Sequence, residues 1–219
     1  MHRNLQEICE EGRVQMTDNP RIRRTFATTA MGLVVLYVLI DVVLQFLPPH
    51  YSVVSDAESD LAVGPFGWAM NLNFLARAVM SGCVVVAVAL TAPASRLRRF
   101  GSVLLALAGL CSAALVLFPA DVNRAGDFGM TPRTTVGLVH VLFATSGFLI
   151  VLAAMALLTR WIGRPRRVIV FFVVALAGAI LLAASLVALP QVVGLAERLC
   201  LVGILGWAFT LCLEVRQLG

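Results

Sequence analysis

The chain has 219 residues, of which 60% are hydrophobic and 13% are charged, and its formal net charge is +5. Globular proteins carry about 25% charged residues, so this composition excludes an ordinary soluble domain and indicates a membrane protein. The basic residues are all arginines gathered in a few loops, which indicates membrane topology rather than affinity for nucleic acid. The five cysteines form no CxxC pair, which argues against a disulfide scaffold or a thiol-redox enzyme.

Residues 1–24 form a polar lead that ends in a cluster of arginines, and Met16 is an alternative to Met1 as the start. The first apolar run, residues 25–47, starts late and is long enough to span a bilayer. We therefore expect no cleavable signal peptide. The run carries polar side chains at intervals of four, which places them on one helical face: Tyr37, Asp41 and Gln45.

A loop rich in acidic residues and serines precedes the second predicted span, residues 67–91. This helix carries Asn73, Arg77 and Ser81 on one face, because they are four residues apart. Arg77 lies about 15 Å inside the span at 1.5 Å per residue, where an arginine is costly without a partner. Asp41 of the first span lies at a compatible depth, so we predict an ion pair between Arg77 and Asp41.

Four further apolar runs bring the number of predicted spanning helices to six, at residues 101–118, 134–158, 168–189 and 199–213. Asp121 follows the third run and His140 lies early in the fourth, and we predict that these two side chains pair across the loop. The pair Glu197-Arg198 ends the last connection and is expected as a surface cap of the sixth helix. The predicted fold is an all-α, six-helix transmembrane bundle over residues 25–215, with a tail of residues 216–219.

The distribution of arginine predicts the orientation of this bundle. Thirteen arginines lie on the side of the two termini and three lie in the opposite loops. By the positive-inside rule both termini are cytoplasmic, in a multi-pass protein of the plasma (inner) membrane. The loops that bear Asp60, Asp121 and Glu197 are then extracytoplasmic.

Four short motifs carry a resemblance to a known family. They are Ser59-Asp60 followed by glycines and Trp68, the phrase Phe118-Pro119-Ala120-Asp121, the spacing Gly137 to His140, and Glu197-Arg198. Over residues 25–215 the chain resembles an uncharacterised family of small six-helix bacterial and archaeal membrane proteins, the domain of unknown function 998. The resemblance implies the fold and the membrane location, and the family brings no settled activity.

Nearly all the unusual polar residues fall in the outer half of the predicted bundle. Ionisable groups in a bilayer normally face the bundle interior and pair with one another. Catalytic candidates are His140 as proton carrier or general base, Asp121 orienting it, Ser59 as nucleophile, and Asp60. Ligand-binding candidates are Arg77, Asp41, Asn73, Trp68, Glu197 and Arg198.

Each of these candidates also has a purely structural interpretation. Arg77 and Asp41 would fix the register of two helices, and His140 would hydrogen-bond a neighbouring helix. Ser59 and Asp60 would belong to a capped turn. No GxSxG elbow supports Ser59 as a nucleophile.

Several cofactor chemistries find no support in the sequence. His140 is the one histidine in a predicted span, which excludes bis-histidine haem and a histidine-rich zinc site. A mixed divalent-metal site of His140, Asp60, Asp121 and Glu197 rests on ligand type alone, so we predict no metal. No phosphate-binding glycine loop occurs, and the sequence indicates no particular cofactor.

Three functions fit these residues. The first is a pocket near the outer leaflet that binds a lipid-like or isoprenoid molecule with a polar head, with processing of that molecule as an extension of the same function. The second is a proton-coupled carrier of small solutes, which would need polar residues reaching the inner side. The third is a non-catalytic accessory or sensor subunit in which the polar network is scaffolding. The sequence leaves open whether the protein is an enzyme, and its expected partner is the lipid bilayer.

Overall fold

The computed structural model describes residues 19–48, 51–91, 95–122 and 131–218. Within these ranges all six long helices are apolar enough to cross a membrane, and no strand occurs. The predicted all-α, six-helix membrane fold is therefore confirmed. The helices are α1 Pro20–Leu44, α2 Gly67–Ala89, α3 Arg96–Ala114, α4 Thr135–Trp161, α5 Arg166–Ala188 and α6 Val193–Gln217, with short 3₁₀ helices at Glu58–Ala62 and Pro190–Val192.

Helices α1 and α3 begin earlier than predicted because capping residues extend them into polar sequence. The Asn19 side chain accepts a hydrogen bond from the backbone N–H of Ile22, and Pro20 occupies the first turn of α1, both common at helix starts. Ser95 caps α3 in the same way, so the basic segment predicted as a loop is the first turn of that helix. Of the predicted polar lead, residues 1–18 lie outside the described residues.

The start of α6 corrects a prediction about the pair Glu197-Arg198. The helix begins at Val193, so both residues lie in its second turn and do not form an exposed cap. Glu197 is only 4% exposed. The two charges lowered the local hydropathy and moved the predicted boundary, whereas in the fold they face the loop after α1. At its other end α6 continues through Gln217, into the predicted tail.

The six helices form a ring. Helices α1, α2 and α3 each pack on the next helix, α5 packs on α6, and α6 packs on α1, whereas α4 and α5 touch only sparsely. Helix α6 has 61% of its most apolar stretch buried and α2 has 44%, against 22 to 28% for the other four. The interior is therefore lined mainly by α2 and α6, and the remaining helices turn most of their surface to lipid.

The loop between α1 and α2 closes one end of the bundle, where α2, α4 and α6 begin. A Cβ on Gly67 would lie 2.1 Å from the carbonyl oxygen of Ala62, and one on Gly194 would lie 2.3 Å from that of Asp56. The loop backbone therefore rests directly on the starts of α2 and α6. We call this end of the bundle, which carries the 3₁₀ helix Glu58–Ala62, the Glu58 end.

Helices α5 and α6 approach so closely that only glycine fits between them. A Cβ on Gly203 would lie 2.2 Å from the backbone nitrogen of Ala175, and one on Gly178 would lie 2.2 Å from that of Cys200. Close approach through small residues is the usual way in which membrane helices gain packing energy.

We predict that Gly203→Ala destabilises the protein by about 1–3 kcal/mol, since the added methyl group forces two backbones apart. Thermal unfolding of the protein purified in detergent measures the effect. Gly32→Ala is the matched control, because nothing lies within 4 Å of a Cβ at that helical glycine. Equal melting temperatures for the two variants would contradict the packing described here.

Candidate functional site

Glu197 and Arg198 of α6 hold the first loop in place. The Glu197 carboxylate accepts a hydrogen bond of 2.7 Å from the backbone N–H of Glu58. The Arg198 guanidinium donates to backbone carbonyls of the loop and to a tyrosine hydroxyl, at Val53, Asp56 and Tyr51. It also lies 5.1 Å from the centroid of the Tyr51 ring. Two neighbouring residues of one helix thus fix the loop that covers the Glu58 end.

The anchored loop turns the side chain of Glu58 into the bundle. Glu58 is 3% exposed, and both of its carboxylate oxygens lie 2.9 Å from the hydroxyl of Tyr37, which donates to them. Asn73 supports this arrangement, because its side-chain amide donates to the backbone carbonyl of Tyr37. The loop, α1 and α2 therefore meet at a buried carboxyl group.

A deep pocket opens inside the ring below Glu58. It comprises about 760 Å³ of space not filled by protein atoms, a figure that includes space open to the surroundings. Its walls come from the first loop, α2, α3, α4 and α6, and most of the lining side chains are aliphatic or aromatic. The ionisable groups in its wall belong to Glu58, Arg77, His140 and Glu197.

Arg77 lies in this wall, but its partners differ from those predicted. Its Nε donates to the hydroxyl of Ser112 at 2.8 Å, and that hydroxyl donates to the backbone carbonyl of Phe74. The guanidinium carbon lies 5.5 Å from the ring centroid of Phe74 and 5.8 Å from that of Tyr37. These contacts hold the charge by cation–π attraction and a neutral hydrogen bond.

The predicted ion pair between Arg77 and Asp41 does not form among the described residues. Asp41 lies in the last turn of α1 and accepts a hydrogen bond of 2.6 Å from the side chain of Gln45, and its other oxygen is buried with no hydrogen-bond partner. A similar depth in the membrane does not by itself bring the two side chains together, because Arg77 lines the pocket and Asp41 does not.

His140 is 1% exposed, and one side of its ring faces the pocket. Its Nδ1 lies 2.7 Å from the backbone carbonyl oxygen of Phe118. A carbonyl oxygen can only accept, so Nδ1 carries a proton and donates it. The other ring nitrogen, Nε2, is buried and has no hydrogen-bond partner.

Asp121 holds the residues just before α4, whose N-cap is Thr134, and among the described contacts it is not hydrogen-bonded to His140 as predicted. Its carboxylate accepts from the backbone N–H groups of Arg133 and Thr134 and from the hydroxyl of Thr134. These hydrogen bonds, that from the Thr134 hydroxyl first, hold the pKa of Asp121 below its usual range. Gly137 makes room for the carboxylate, because a Cβ there would lie 2.1 Å from one of its oxygens.

A second, smaller cavity lies beside the first, with about 310 Å³ of space not filled by protein atoms, counting space open to the surroundings. Asp60 and Asp121 line it, and Ser59 and His140 line both cavities. The predicted catalytic residues are therefore close to one another, but no hydrogen bond among the described contacts links Ser59, His140 and Asp121 into a triad. His140 and Ser59 instead separate an apolar pocket from a more polar cavity.

The remaining predicted ligand-binding residues have different positions. Trp68 is 64% exposed and lines neither cavity, so its ring faces away from the site. Asn73 is fully buried behind the wall, and Arg198 acts on the loop. In the part of the chain that the structure describes, no three His, Cys, Asp or Glu side chains are grouped so as to hold a metal ion.

One family matches this chain, over residues 31–214: it is described as "Protein of unknown function (DUF998)". The chain belongs to the DUF998 family. No curated protein and no solved structure matches it. Two family-like motifs of this DUF998 protein have a physical explanation in the fold. The phrase Phe118-Pro119-Ala120-Asp121 supplies the carbonyl that fixes His140 and the carboxylate that holds the residues just before α4, and Glu197-Arg198 anchors the first loop.

Sequence reasoning missed Glu58 as a member of the site. It stands in an acidic loop beside Asp56 and Asp60, where nothing distinguishes a buried carboxylate from exposed ones. The one available signal was Tyr37, the first residue of the polar stripe on α1. A tyrosine hydroxyl on an interior helix face needs a partner, and the adjoining loop offers the nearest acceptors.

Burial raises the pKa of Glu58 to about 8. The nearby carboxylates of Asp41 and Glu197 add to this shift, whereas the charge of Arg77 and the hydrogen bond from Tyr37 oppose it. Glu58 of the folded DUF998 protein therefore keeps its proton at neutral pH, although a free glutamate loses it near pH 4.3.

We predict that this proton makes folding pH-dependent. Between about pH 4.3 and pH 8 the folded chain binds a proton that the unfolded chain has lost. The stabilisation is fully present below that window and is lost as the pH rises through about 8. The melting temperature of the wild-type protein should fall across this window, and that of Glu58→Gln, which mimics the protonated form, should fall less. Equal slopes for the two proteins would contradict the assignment.

Proposed function

We propose that this DUF998 protein binds a single-chain, lipid-like or isoprenoid molecule, with the polar head at the Glu58 end and the tail inside the ring. The observation that carries the proposal is the division of one pocket into a short polar part and a long apolar part. All four ionisable groups of the wall lie in the polar part: Glu58, Arg77, His140 and Glu197. Ligand sites of this kind are largely apolar, with a few placed polar groups that set orientation.

The depth of the apolar part supports a long tail. Val84 lies 17 residues after the start of α2 at Gly67, and Trp207 lies 14 residues after the start of α6 at Val193. At 1.5 Å per residue these lining positions are about 25 Å and 21 Å from the helix starts. Arg77 and Glu197 lie about 15 Å and 6 Å from the same helix starts, so a head held between Glu58 and Arg77 would be followed by about 10–15 Å of largely apolar wall.

The same asymmetry argues against a carrier of small solutes. Alternating access requires polar groups that face the solute from both sides of the membrane. Beyond Arg77 and Ser81 the wall of this pocket continues with side chains such as Val84, Leu105 and Val151.

A second candidate function, processing of the head group, is favoured by the smaller cavity. Ser59 and His140 form part of the wall of both cavities. A water-soluble reactant in the smaller cavity would therefore lie on one side of the imidazole and the lipid head on the other. Nε2 of His140, which lacks a partner, would accept a proton from the water-soluble reactant as that reactant attacks the head.

The orientation in the membrane is part of the proposal. Thirteen arginines against three support cytoplasmic termini in a plasma (inner) membrane protein. The Glu58 end would then face the outer leaflet, and Asp60, Asp121 and Glu197 would lie toward the extracytoplasmic side.

Trp207 offers a direct test, because its indole is fully buried and lines the apolar part of the pocket. The reporter protein carries Trp68→Phe and Trp161→Phe, which leaves Trp207 as the one remaining tryptophan of three. A fatty alcohol brominated in mid-chain, added to the protein in phosphatidylcholine nanodiscs, should quench Trp207 fluorescence saturably. A reporter that keeps only the exposed Trp68 should show quenching that does not saturate.

A pair of glycine variants separates pocket binding from surface contact. Gly147 lines the pocket, whereas Gly82 is exposed and a Cβ there would meet nothing within 4 Å. In the Trp207 reporter, Gly147→Leu should weaken saturable quenching by about tenfold or more, equivalent to about 1.4 kcal/mol, because leucine fills space that the tail needs. Gly82→Leu should leave it unchanged. Equal quenching in all variants would reject the pocket as a lipid site.

A further inference from the structure

The protonation of His140 determines which kind of group the pocket offers to a ligand head. Because Nδ1 donates to the carbonyl of Phe118, a neutral imidazole has a bare lone pair on Nε2. The ring is 1% exposed, no carboxylate of the described residues is hydrogen-bonded to it, and an unpaired imidazolium would be costly there. Nε2, which is buried and has no partner, is therefore a hydrogen-bond acceptor that a ligand donor could satisfy.

The charges around the pocket are already balanced without a ligand. Arg77 is the one arginine in the described wall, and of the two carboxyl groups in that wall Glu58 keeps its proton, so that the charge of Arg77 is balanced by the carboxylate of Glu197. A phosphate head would add one or two negative charges to a site of low dielectric that already contains acidic groups. Like charges repel strongly under those conditions.

Hydrogen-bonding capacity leads to the same conclusion. In the described wall, Glu58 and Glu197 already accept from the Tyr37 hydroxyl and from the backbone N–H of Glu58. The hydroxyls of Ser81 and Ser112 donate to backbone carbonyls of their own or the adjacent helix. Nε2 of His140 has no partner, and a bound head must donate to it, since an acceptor left unpaired on binding costs affinity.

We propose that the head is an uncharged hydroxyl group, so that the ligand is a long-chain or isoprenoid alcohol and not its phosphate ester. The hydroxyl donates to Nε2 of His140, and its oxygen accepts from the guanidinium of Arg77. This inference rests on the proposed function, because it names the chemistry of the head in the same pocket.

The test compares three heads on one tail. Farnesol, farnesylamine and farnesyl phosphate compete with the brominated fatty alcohol for the Trp207 reporter in phosphatidylcholine nanodiscs. Farnesol should displace the brominated fatty alcohol at a concentration roughly tenfold lower than farnesyl phosphate requires. A tenfold difference corresponds to one unfavourable charge contact between the phosphate and the wall. Farnesylamine should also be weaker than farnesol, because its ammonium faces Arg77 in the same wall.

His140→Asn examines the acceptor itself. An asparagine amide can still donate to the carbonyl of Phe118 but has no equivalent of Nε2. Farnesol should bind roughly fivefold more weakly to this variant, the value of one hydrogen bond, and farnesyl phosphate should be unaffected. If the variant does not fold, the comparison of heads on the unchanged reporter decides alone.

The outcomes distinguish this inference from the proposed function. Tighter binding of farnesyl phosphate or farnesylamine than of farnesol would overturn the hydroxyl assignment and leave a lipid-like ligand in place. An equal loss of all three probes in His140→Asn would also overturn it. Absence of saturable quenching by the brominated fatty alcohol would reject the proposed function itself.

Discussion

The architecture of the Glu58 end depends on one contact, the hydrogen bond from the backbone N–H of Glu58 to the carboxylate of Glu197. Hydrogen bonds from Arg198 to backbone carbonyls of the same loop support it. Without this hydrogen bond the loop would not be held with Glu58 turned inward, and the Tyr37 hydroxyl would lose its partner. The pocket would then be open at its polar end. A buried acidic residue is expensive, and here its cost is offset by a backbone donor and an adjacent guanidinium. The same contact therefore closes the Glu58 end of the bundle and positions the Glu58 carboxyl group at the pocket.

The pocket also reflects the way in which membrane helices pack. Small residues allow α5 and α6 to touch backbone to backbone at Gly178 and Gly203, whereas α6 has few contacts with α2 and α4 across the pocket. The sparse contact between α4 and α5 leaves the ring weakest on the side where α4 lines the cavity. A chain-like ligand drawn from the bilayer would meet the least resistance there, since few packed side chains need to part.

The fold was predictable because length and hydropathy decide whether a helix spans a bilayer. The site was predictable only in part. Arg77, His140, Ser59 and Glu197 were recognised from their types and positions, and all four line the main pocket. The hydrogen-bond partners of these residues were not predicted, because they depend on the rotation of each helix about its axis. Arg77 is therefore hydrogen-bonded to Ser112 where Asp41 was expected, and Asp121 is bonded to Thr134 at the start of α4 instead of to His140. Glu58 was missed because only the folded loop brings it under Tyr37.

The most direct measurement is a high-resolution structure of the protein in lipid nanodiscs, with attention to the space between His140 and Trp207. An amphiphile-binding pocket predicts elongated density there, with its head within hydrogen-bonding distance of Nε2 of His140 and its tail passing toward Val84 and Trp207. A pocket closed by side chains such as Phe143 and Phe148, with no density and with Glu58 still held by Tyr37, would contradict it. The polar cluster would then be scaffolding that holds the first loop and the helices together.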